Sequence, residues 1–235
     1  APVFAEDNGA AMGDFVLQEQ IDGSTTYEGG VVDFKAGKAL YRRQDNTLEL
    51  RDGVSFATDE GVTLETDSAR WNRSDDLVSS EEQVVITRKE PPTTVTGTGL
   101  TARPGLKTAT LQEEVTVTTE TQDGRKIVIS CDGPLEVRHE EGVAVFNDNV
   151  QVTQADTKMY ADQATVTFDP ETQALDTVVA EGQVRIVRGD DTTTAQRARY
   201  TAADKRIVLE GRPRLVIFQE KGEDIFHGMG AEREE

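Results

Sequence analysis

The chain has 235 residues and carries 44 acidic against 25 basic side chains, a net charge of −19. That balance excludes nucleic acid as a general partner, because phosphate binding needs a net positive surface. No run of roughly 18 apolar residues occurs, so no segment of the chain reads as a transmembrane helix. The length suffices for one large all-β domain or two smaller ones. Apolar residues make up 36%, with much Val, and many Thr stand alongside; both residue types favour strands.

Residues 1–13 are small, polar and without period, and are expected to be a flexible N-terminus. Ala1-Pro-Val-Phe-Ala5 would suit the start of a chain that has lost a signal or an anchor. From Phe15 three strands are expected, Phe15–Gln20, Gly30–Phe34 and Ala39–Arg42. Asp22-Gly23 and Ala36-Gly37 would turn the chain between them.

A repeat then begins. Leu50-Arg-Asp-Gly-Val54, Ser80-Glu-Glu-Gln-Val84, Leu111-Gln-Glu-Glu-Val115, Asn147-Asp-Asn-Val150, Glu181-Gly-Gln-Val184 and Glu210-Gly-Arg-Pro213 echo one another. Their last residues stand 29 to 35 apart. Self-similarity at such a period marks a stacked architecture. Each polar cluster is expected to be a corner between two short strands. Asp169-Pro170 is expected to be another. Between the anchors lies a second strand with a small residue: Ala69-Arg-Trp71, Leu100-Thr-Ala102, Ala164-Thr-Val166 and Ala198-Arg-Tyr200. The unit from Val115 to Val150 lacks this element and has its own hairpin at Gln122-Asp-Gly-Arg125. Two segments are expected to meet near residue 122, giving 14–122 and 123–219, with 220–235 a flexible acidic tail.

Short corners cannot carry parallel crossovers, so the strands are expected to be antiparallel. The fold class is all-β, two sheets facing each other across an apolar interior. Alternation assigns to the inner face Leu50, Val54, Phe56, Leu64, Val84, Ile86, Leu100, Leu111, Val115 and Val117 in the first half. In the second half it assigns Val145, Val150, Val152, Val166, Phe168, Val179, Val184, Ile186, Tyr200, Leu209, Leu215 and Ile217. That interior is either a plain packed core or a slot held open for something apolar and long.

Chemistry is sparse. Cys131 is alone and ends an apolar strand, which suits a packing role. His139, in Arg138-His-Glu-Glu141, reads as a solvated strand end or turn, and neither it nor His227 has a nucleophile beside it. The carboxylate pairs Asp75-Asp76, Glu81-Glu82, Glu113-Glu114 and Asp190-Asp191 fall at corners, and no spaced calcium loop or Cys/His metal pattern exists. Catalytic residues, metal ligands and cofactors are therefore expected to be absent. From Gln183 to Arg214 the chain is locally basic, with Arg185, Arg188, Arg197, Arg199, Lys205, Arg206, Arg212 and Arg214 against four acids. Arginine–phosphate contacts at a rim are conceivable there, as is a solvated face.

The segment from Asp14 to Thr118 resembles the periplasmic domain of LptC. The resemblance rests on Phe15-Val-Leu-Gln-Glu19, Ala39-Leu-Tyr41, Leu48-Glu-Leu-Arg-Asp-Gly-Val54, Asp59-Glu-Gly61, Leu64 to Ala69, Val78 to Ile86 and Gly97-Thr-Gly-Leu100. The segment from Leu135 to Phe218 resembles the OstA-like domain of LptA, through Asp148-Asn-Val150, Glu181-Gly-Gln-Val184 and Glu210-Gly-Arg-Pro213 with Ala161-Asp162, Ala164 and Ala198-Arg-Tyr200 between. The resemblance implies an elongated twisted β-jellyroll that takes lipopolysaccharide acyl chains in a hydrophobic groove and passes them from the inner towards the outer membrane. It implies no enzyme. The implied groove residues are Phe56, Leu64, Val84, Ile86, Leu100, Val115 and Val117, then Val150, Val152, Val166, Phe168, Val184, Ile186, Tyr200 and Leu215. The implied partners are the membrane components of the Lpt ABC transporter and, by end-to-end strand pairing, an LptA-like bridge or an outer-membrane LptD-like protein. The implied location is the periplasm, with tethering to the inner membrane by a segment outside this chain. Apart from the family, a structural β-solenoid or adhesion module with a filled core and a polysaccharide-active enzyme on a β-repeat stay open.

Overall fold

A computed structural model describes residues 15–27, 30–120, 124–204 and 206–216. The chain is a meander of antiparallel strands in one sheet: β1 Phe15–Tyr27, β2 Gly30–Arg42, β3 Thr47–Thr58, β4 Val62–Asn72, β5 Leu77–Arg88, β6 Thr93–Arg103 and β7 Thr108–Glu120. It continues with β8 Lys126–Cys131, β9 Leu135–Arg138, β10 Val143–Gln154, β11 Thr157–Phe168, β12 Leu175–Arg188, β13 Asp191–Thr201, β14 Arg206–Glu210 and β15 Arg214–Val216. One turn of 3₁₀ helix, Pro104–Leu106, joins β6 to β7. The hydrogen-bonded order follows the chain, so the sheet is continuous from β1 to β14.

The expected all-β class holds and Asp169-Pro170 does turn the chain between β11 and β12, but five of the repeat's polar clusters are not corners. Asp52-Gly53, Glu81-Glu82, Glu113-Glu114, Asp148-Asn149 and Gly182-Gln183 lie inside long strands. There they form β-bulges where the register shifts. Between Asn147 and Val150 the chain advances three residues while β11 advances two, from Gln163 to Ala161. The same surplus recurs in β1, β3, β5, β7, β10 and β12, and the intervening strands lack it. Several bulge residues have positive φ, among them Asp52 at 67°, Gly53 at 76°, Asp148 at 61° and Gly182 at 76°. Asn, Asp and Gly tolerate that region best, which explains the polar clusters without a chain reversal. Likewise Asp22-Gly23 pairs with Lys35 and Phe34 inside β1, and Ala36-Gly37 bends β2, so the three early strands are two long ones.

Each strand bends at its bulge and divides into two arms. In bulged strands the buried residues that flank the bend are four apart: Leu50 and Val54, Ser80 and Val84, Leu111 and Val115, Phe146 and Val150, Ala180 and Val184. In the strands between them the spacing is three, as in Ala36 and Ala39, Thr66 and Ala69, or Ala161 and Ala164. Side-chain alternation is thus interrupted at the bend, which keeps the apolar face inward on both arms. The row along the bend is the closed seam of the molecule. Leu50, Val54, Val84, Val115, Val150 and Val184 are its largest fully buried side chains, none more than 2% exposed. Five of the six repeat anchors therefore form this seam. The sixth, Pro213, is exposed between β14 and β15.

The junction of the two halves is a broken strand. β8 and β9 both pair with β7 and β10, and they are separated by Asp132-Gly133-Pro134. The gap is closed by backbone bonds, Asp132 N to Asp148 O at 2.9 Å and Glu114 N to Asp132 O at 3.1 Å. A Cβ on Gly133, which sits at φ 117°, would run into the carbonyl oxygen of Gln112. Glu120 pairs with Lys126 beside it, where a hairpin is expected. Residues 121–123 of that hairpin lie outside the described residues, as do the expected flexible ends and Ile217. Val145 and Val179 are corrected: each lies on the outer face, Val145 between the buried, inward-pointing Ala144 and Phe146, Val179 between half-buried Val178 and buried Ala180. Polar groups caught at the seam are satisfied. Thr66 Oγ1 lies 2.9 Å from Ser80 Oγ, which accepts the Glu82 N–H at 3.2 Å.

The seam should dominate stability. Val84→Ala is expected to cost about 2–3 kcal/mol, through lost transfer energy and a cavity, whereas Val152→Ala, half-buried one row away, should cost about 1 kcal/mol. Urea unfolding midpoints at constant slope measure both. Equal losses would mean that the seam is not the core.

Candidate functional site, an apolar cleft between two arms

On the first arm, one row outside the seam, the inward residues pair strand by strand. Phe34 lies opposite Phe56, Phe56 opposite Leu64, Leu64 opposite Ile86, Ile86 opposite Val95 and Val95 opposite Val117. The row goes on through Ile129, Val152, Met159 and Ile186 before it meets Thr193 and Leu215. No charged or polar side chain interrupts it from Phe34 to Ile186. The second arm has a matching row: Leu48, Trp71, Val78, Ala102, Ala109, Val137, Ala144, Val166, Val178, Tyr200 and Ile207.

Members of both rows pack on one core. Leu64, Val95, Val117, Ile129 and Val152 from the first arm meet Ala102, Ala109, Val137, Val166 and Phe168 from the second around the seam residues. From Leu64 to Ile186 the first row is only half-buried, although the seam beside it is closed. Two arms closed at the bend and half-open beyond it make a cleft with apolar walls. Its filling is graded. The β2–β4 end is packed with Val32, Phe34, Leu50, Phe56 and Trp71. The far end has a small buried core of Ala161, Ala180, Ala198 and Val184, with the half-buried Met159, Ile186, Ala195 and Leu209 packed against it.

The expected groove residues thus divide. Val84, Leu100, Val115, Val150 and Val184 fill the seam, and Phe56 is buried in the packed end. Leu64, Ile86, Val117, Val152, Val166, Phe168, Ile186 and Tyr200 are half-buried wall residues. Leu215 continues the row at its last strand but is 63% exposed. Val95, Ile129 and Met159 belong to the walls and were not expected there. Their strands carry few Val anchors, and only pairing register brings them into line.

The basic stretch is spent on the outer face. Arg197 lies 3.4 Å from Glu181 and 3.6 Å from Glu210, Arg188 lies 3.6 Å from Asp156, and the Arg185 guanidinium sits 4.1 Å above the Tyr160 ring. Lys205 lies outside the described residues. A different cationic group stands at the mouth of the cleft. Arg88, at the end of β5 on the first arm, donates from Nη1 to Gln173 Oε1 at 2.6 Å. Gln173 belongs to the β11–β12 loop of the second arm, and its Nε2 lies 3.0 Å from His139 Nε2. His139 stands edge-on to Phe168, with ring centroids 6.1 Å apart. It does stand in a turn, as expected, but it is packed and not merely solvated; sequence spacing gave no sign of a contact across 34 residues.

Among the described residues no cluster of His, Cys, Asp and Glu could hold a metal ion. Cys131 is buried, and burial pushes its thiol up from the ordinary value. Asp169 is held below the usual carboxylate range by Thr172, through its backbone N–H and its hydroxyl, and by the Glu171 N–H. His139 is pushed down by burial, then by Arg88 and Lys107, against the smaller opposing pull of Glu60 and Glu140.

Two family models match the chain. One, described as lipopolysaccharide-assembly, LptC-related, covers residues 20–120. The other, described as LptA/(LptD N-terminal domain) LPS transport protein, covers residues 133–230. No individually curated protein matches. The gap between the two matches, 121–132, contains β8 and the start of the strand break.

The lowered His139 value has a pH consequence. The unfolded chain takes up this proton first, so the stability contributed by neutral His139 is whole above the unfolded value of 6.5. It is lost as the pH falls through the lower folded value. Melting temperatures should therefore fall more steeply below neutrality for the wild type than for His139→Gln. Parallel curves would show that His139 is not held neutral.

Proposed function

Because the chain is made of an LptC-related segment followed by an LptA/LptD N-terminal segment, and so belongs to the lipopolysaccharide-transport families, we propose that it passes lipopolysaccharide along the cleft as a bridge element between the two membranes. Domains of these families are periplasmic transport components and not enzymes. Among the described residues no helix is long and apolar enough to cross a membrane. The observation that carries the reading is the uninterrupted apolar row from Phe34 to Ile186, half-buried from Leu64 onward, which crosses both family segments in one sheet.

The energetics suit a conduit. Each acyl methylene that leaves water gains about 0.8 kcal/mol, so a few turns of chain against the wall bind without polar contacts. Val, Ile, Leu and Met contacts are non-directional. Successive positions along the row therefore differ little in energy, and a chain can slide from one strand to the next. The segments 14–122 and 123–219 would act as one continuous track, entered at the LptC-related end.

The sheet ends supply the handover. β1 is one edge, with Phe15, Val16 and Leu17 exposed; β14 and β15 form the other, with Ile207, Leu215 and Val216 exposed. Unpaired edges of this kind add strands from a partner. We assign the β1 edge to the transporter's membrane components, where an anchor outside this chain would tether it, and the β14–β15 edge to an LptA-like or LptD-like protein.

Two measurements test this. Photoreactive residues at Ile86, Val152 and Ile186 should form adducts with lipopolysaccharide, while the outward positions Thr87, Gln151 and Arg185 should not. Equal or absent labelling would leave a filled sandwich. A crosslinker at Val216 should capture an LptA-like partner or a second copy, and failure to capture either would count against the strand-pairing handover.

A further inference from the structure

The mouth of the cleft carries an uncommitted cationic site. Arg88 comes from the β5–β6 end of the first arm. Lys107 follows the 3₁₀ turn between β6 and β7 on the second arm, where its φ of 48° places it in the left-handed region. His139 lies in the β9–β10 turn, and its backbone N–H donates to the Lys107 carbonyl at 3.0 Å. Three chain segments far apart in sequence are thus brought together over Phe168, the outermost wall residue of β11.

Two features mark this group. First, among the described residues neither Arg88 nor Lys107 forms an ion pair, although the chain bears 44 acidic residues. Arg88 is half-buried, and its acceptor is the neutral amide of Gln173. A guanidinium presents five N–H donors in a fork, and one neutral acceptor leaves most of that capacity unused. Second, the two cations are the strongest charges acting on the His139 ring. Arg88 and Lys107 outweigh Glu60 and Glu140 in their effect on His139.

We propose that Arg88, Lys107 and His139 form a phosphate site at the cleft mouth, which receives the phosphorylated headgroup of the acylated cargo while its chains pass Phe168 into the cleft. The inference rests on the conduit reading and adds a headgroup subsite to it. Gln173 is the placeholder. In the empty protein it bridges Arg88 and His139 and spans the two arms. A phosphate oxygen is a stronger, charged acceptor for the same fork, so it takes Arg88 from Gln173 and the polar bridge over the cleft opens. His139 then adds a ring N–H donor to the same anion. Cargo entry and release of the bridge are one event, because both compete for Arg88.

The test uses the full chain with two probes, phosphorylated lipid A and the same lipid with its phosphates removed. Wild-type protein should bind the phosphorylated form roughly tenfold tighter or more, the scale expected for charge-assisted bonds. Arg88→Gln combined with Lys107→Gln should erase that preference and bind both lipids as the wild type binds the dephosphorylated one. Arg185→Gln, on the outer face, should keep it. Gln173→Ala retains both cations and removes the competitor, so it should hold the phosphorylated lipid at least as tightly as wild type. This variant keeps the proposal decidable if the double variant fails to fold. Inorganic phosphate in excess should not abolish the preference; if it does, the site reads free phosphate and the headgroup assignment is overturned. Equal binding of both lipids by wild type overturns the site and leaves the cleft reading intact. Binding of neither lipid overturns the conduit itself.

Discussion

The whole structure depends on one constraint, that a long β-strand must bend inward at its middle without exposing its apolar face. A regular strand cannot do so, because alternation is fixed at two and a sharp bend disrupts the ladder. The chain meets the constraint with one surplus residue in every second strand, placed in a polar cluster that tolerates positive φ. The residue after each bulge is then driven inward. Val54, Val84, Val115, Val150 and Val184 stack into the seam that joins the arms. Everything else follows from that line. Small residues such as Gly97, Ala161 and Ala198 let the arms close at the bend, and larger residues one row out hold them apart.

This constraint also explains what the sequence made legible. The period was visible because each bulge repeats the same chemistry, and its anchors proved to be the deepest core. The nature of the period was not visible. Asp-Gly and Asp-Asn favour positive φ in a hairpin turn and in a bulge alike, and the local sequence does not say which. Distinguishing them needs the partner strand, since a bulge is a difference in count between two strands. The same limit hid Val95, Ile129 and Met159, whose place in the wall is a matter of register, and turned Val145 and Val179 to the wrong face. His139 was beyond reach for a further reason. Its partners Gln173 and Arg88 are brought to it by the closing of the arms, a tertiary event with no local signal.

The two halves of the chain meet without an interface of the usual kind. A bulged strand, β7, is followed by a strand cut in two, and the cut is closed by backbone bonds to the bulges of β7 and β10. One strand thus serves both family segments. A chain joined by a flexible linker would expose two sheet edges at the junction, and each edge would need cover. Here the ladder runs through, and so does the apolar row, from Val117 to Ile129 to Val152. Continuity of the sheet is what makes continuity of the cleft possible.

The grading of the interior gives that track a direction in its packing. At the β2–β4 end, Phe34, Phe56 and Trp71 occupy the space between the arms, with Phe34 and Phe56 ring centroids 6.5 Å apart. At the other end the equivalent row positions are Met159 and Ile186 on the first arm and Val178 and Tyr200 on the second, all only half-buried, while Ala161, Ala180 and Ala198 lie at the bend. An apolar chain at the aromatic end would have to displace rings that already bury one another, whereas the row from Leu64 to Ile186 keeps part of its surface exposed. Under the proposed conduit reading, an acyl chain would bury more new surface against the half-buried row than at the packed aromatic end, where dispersion and dehydration are already satisfied by the protein itself.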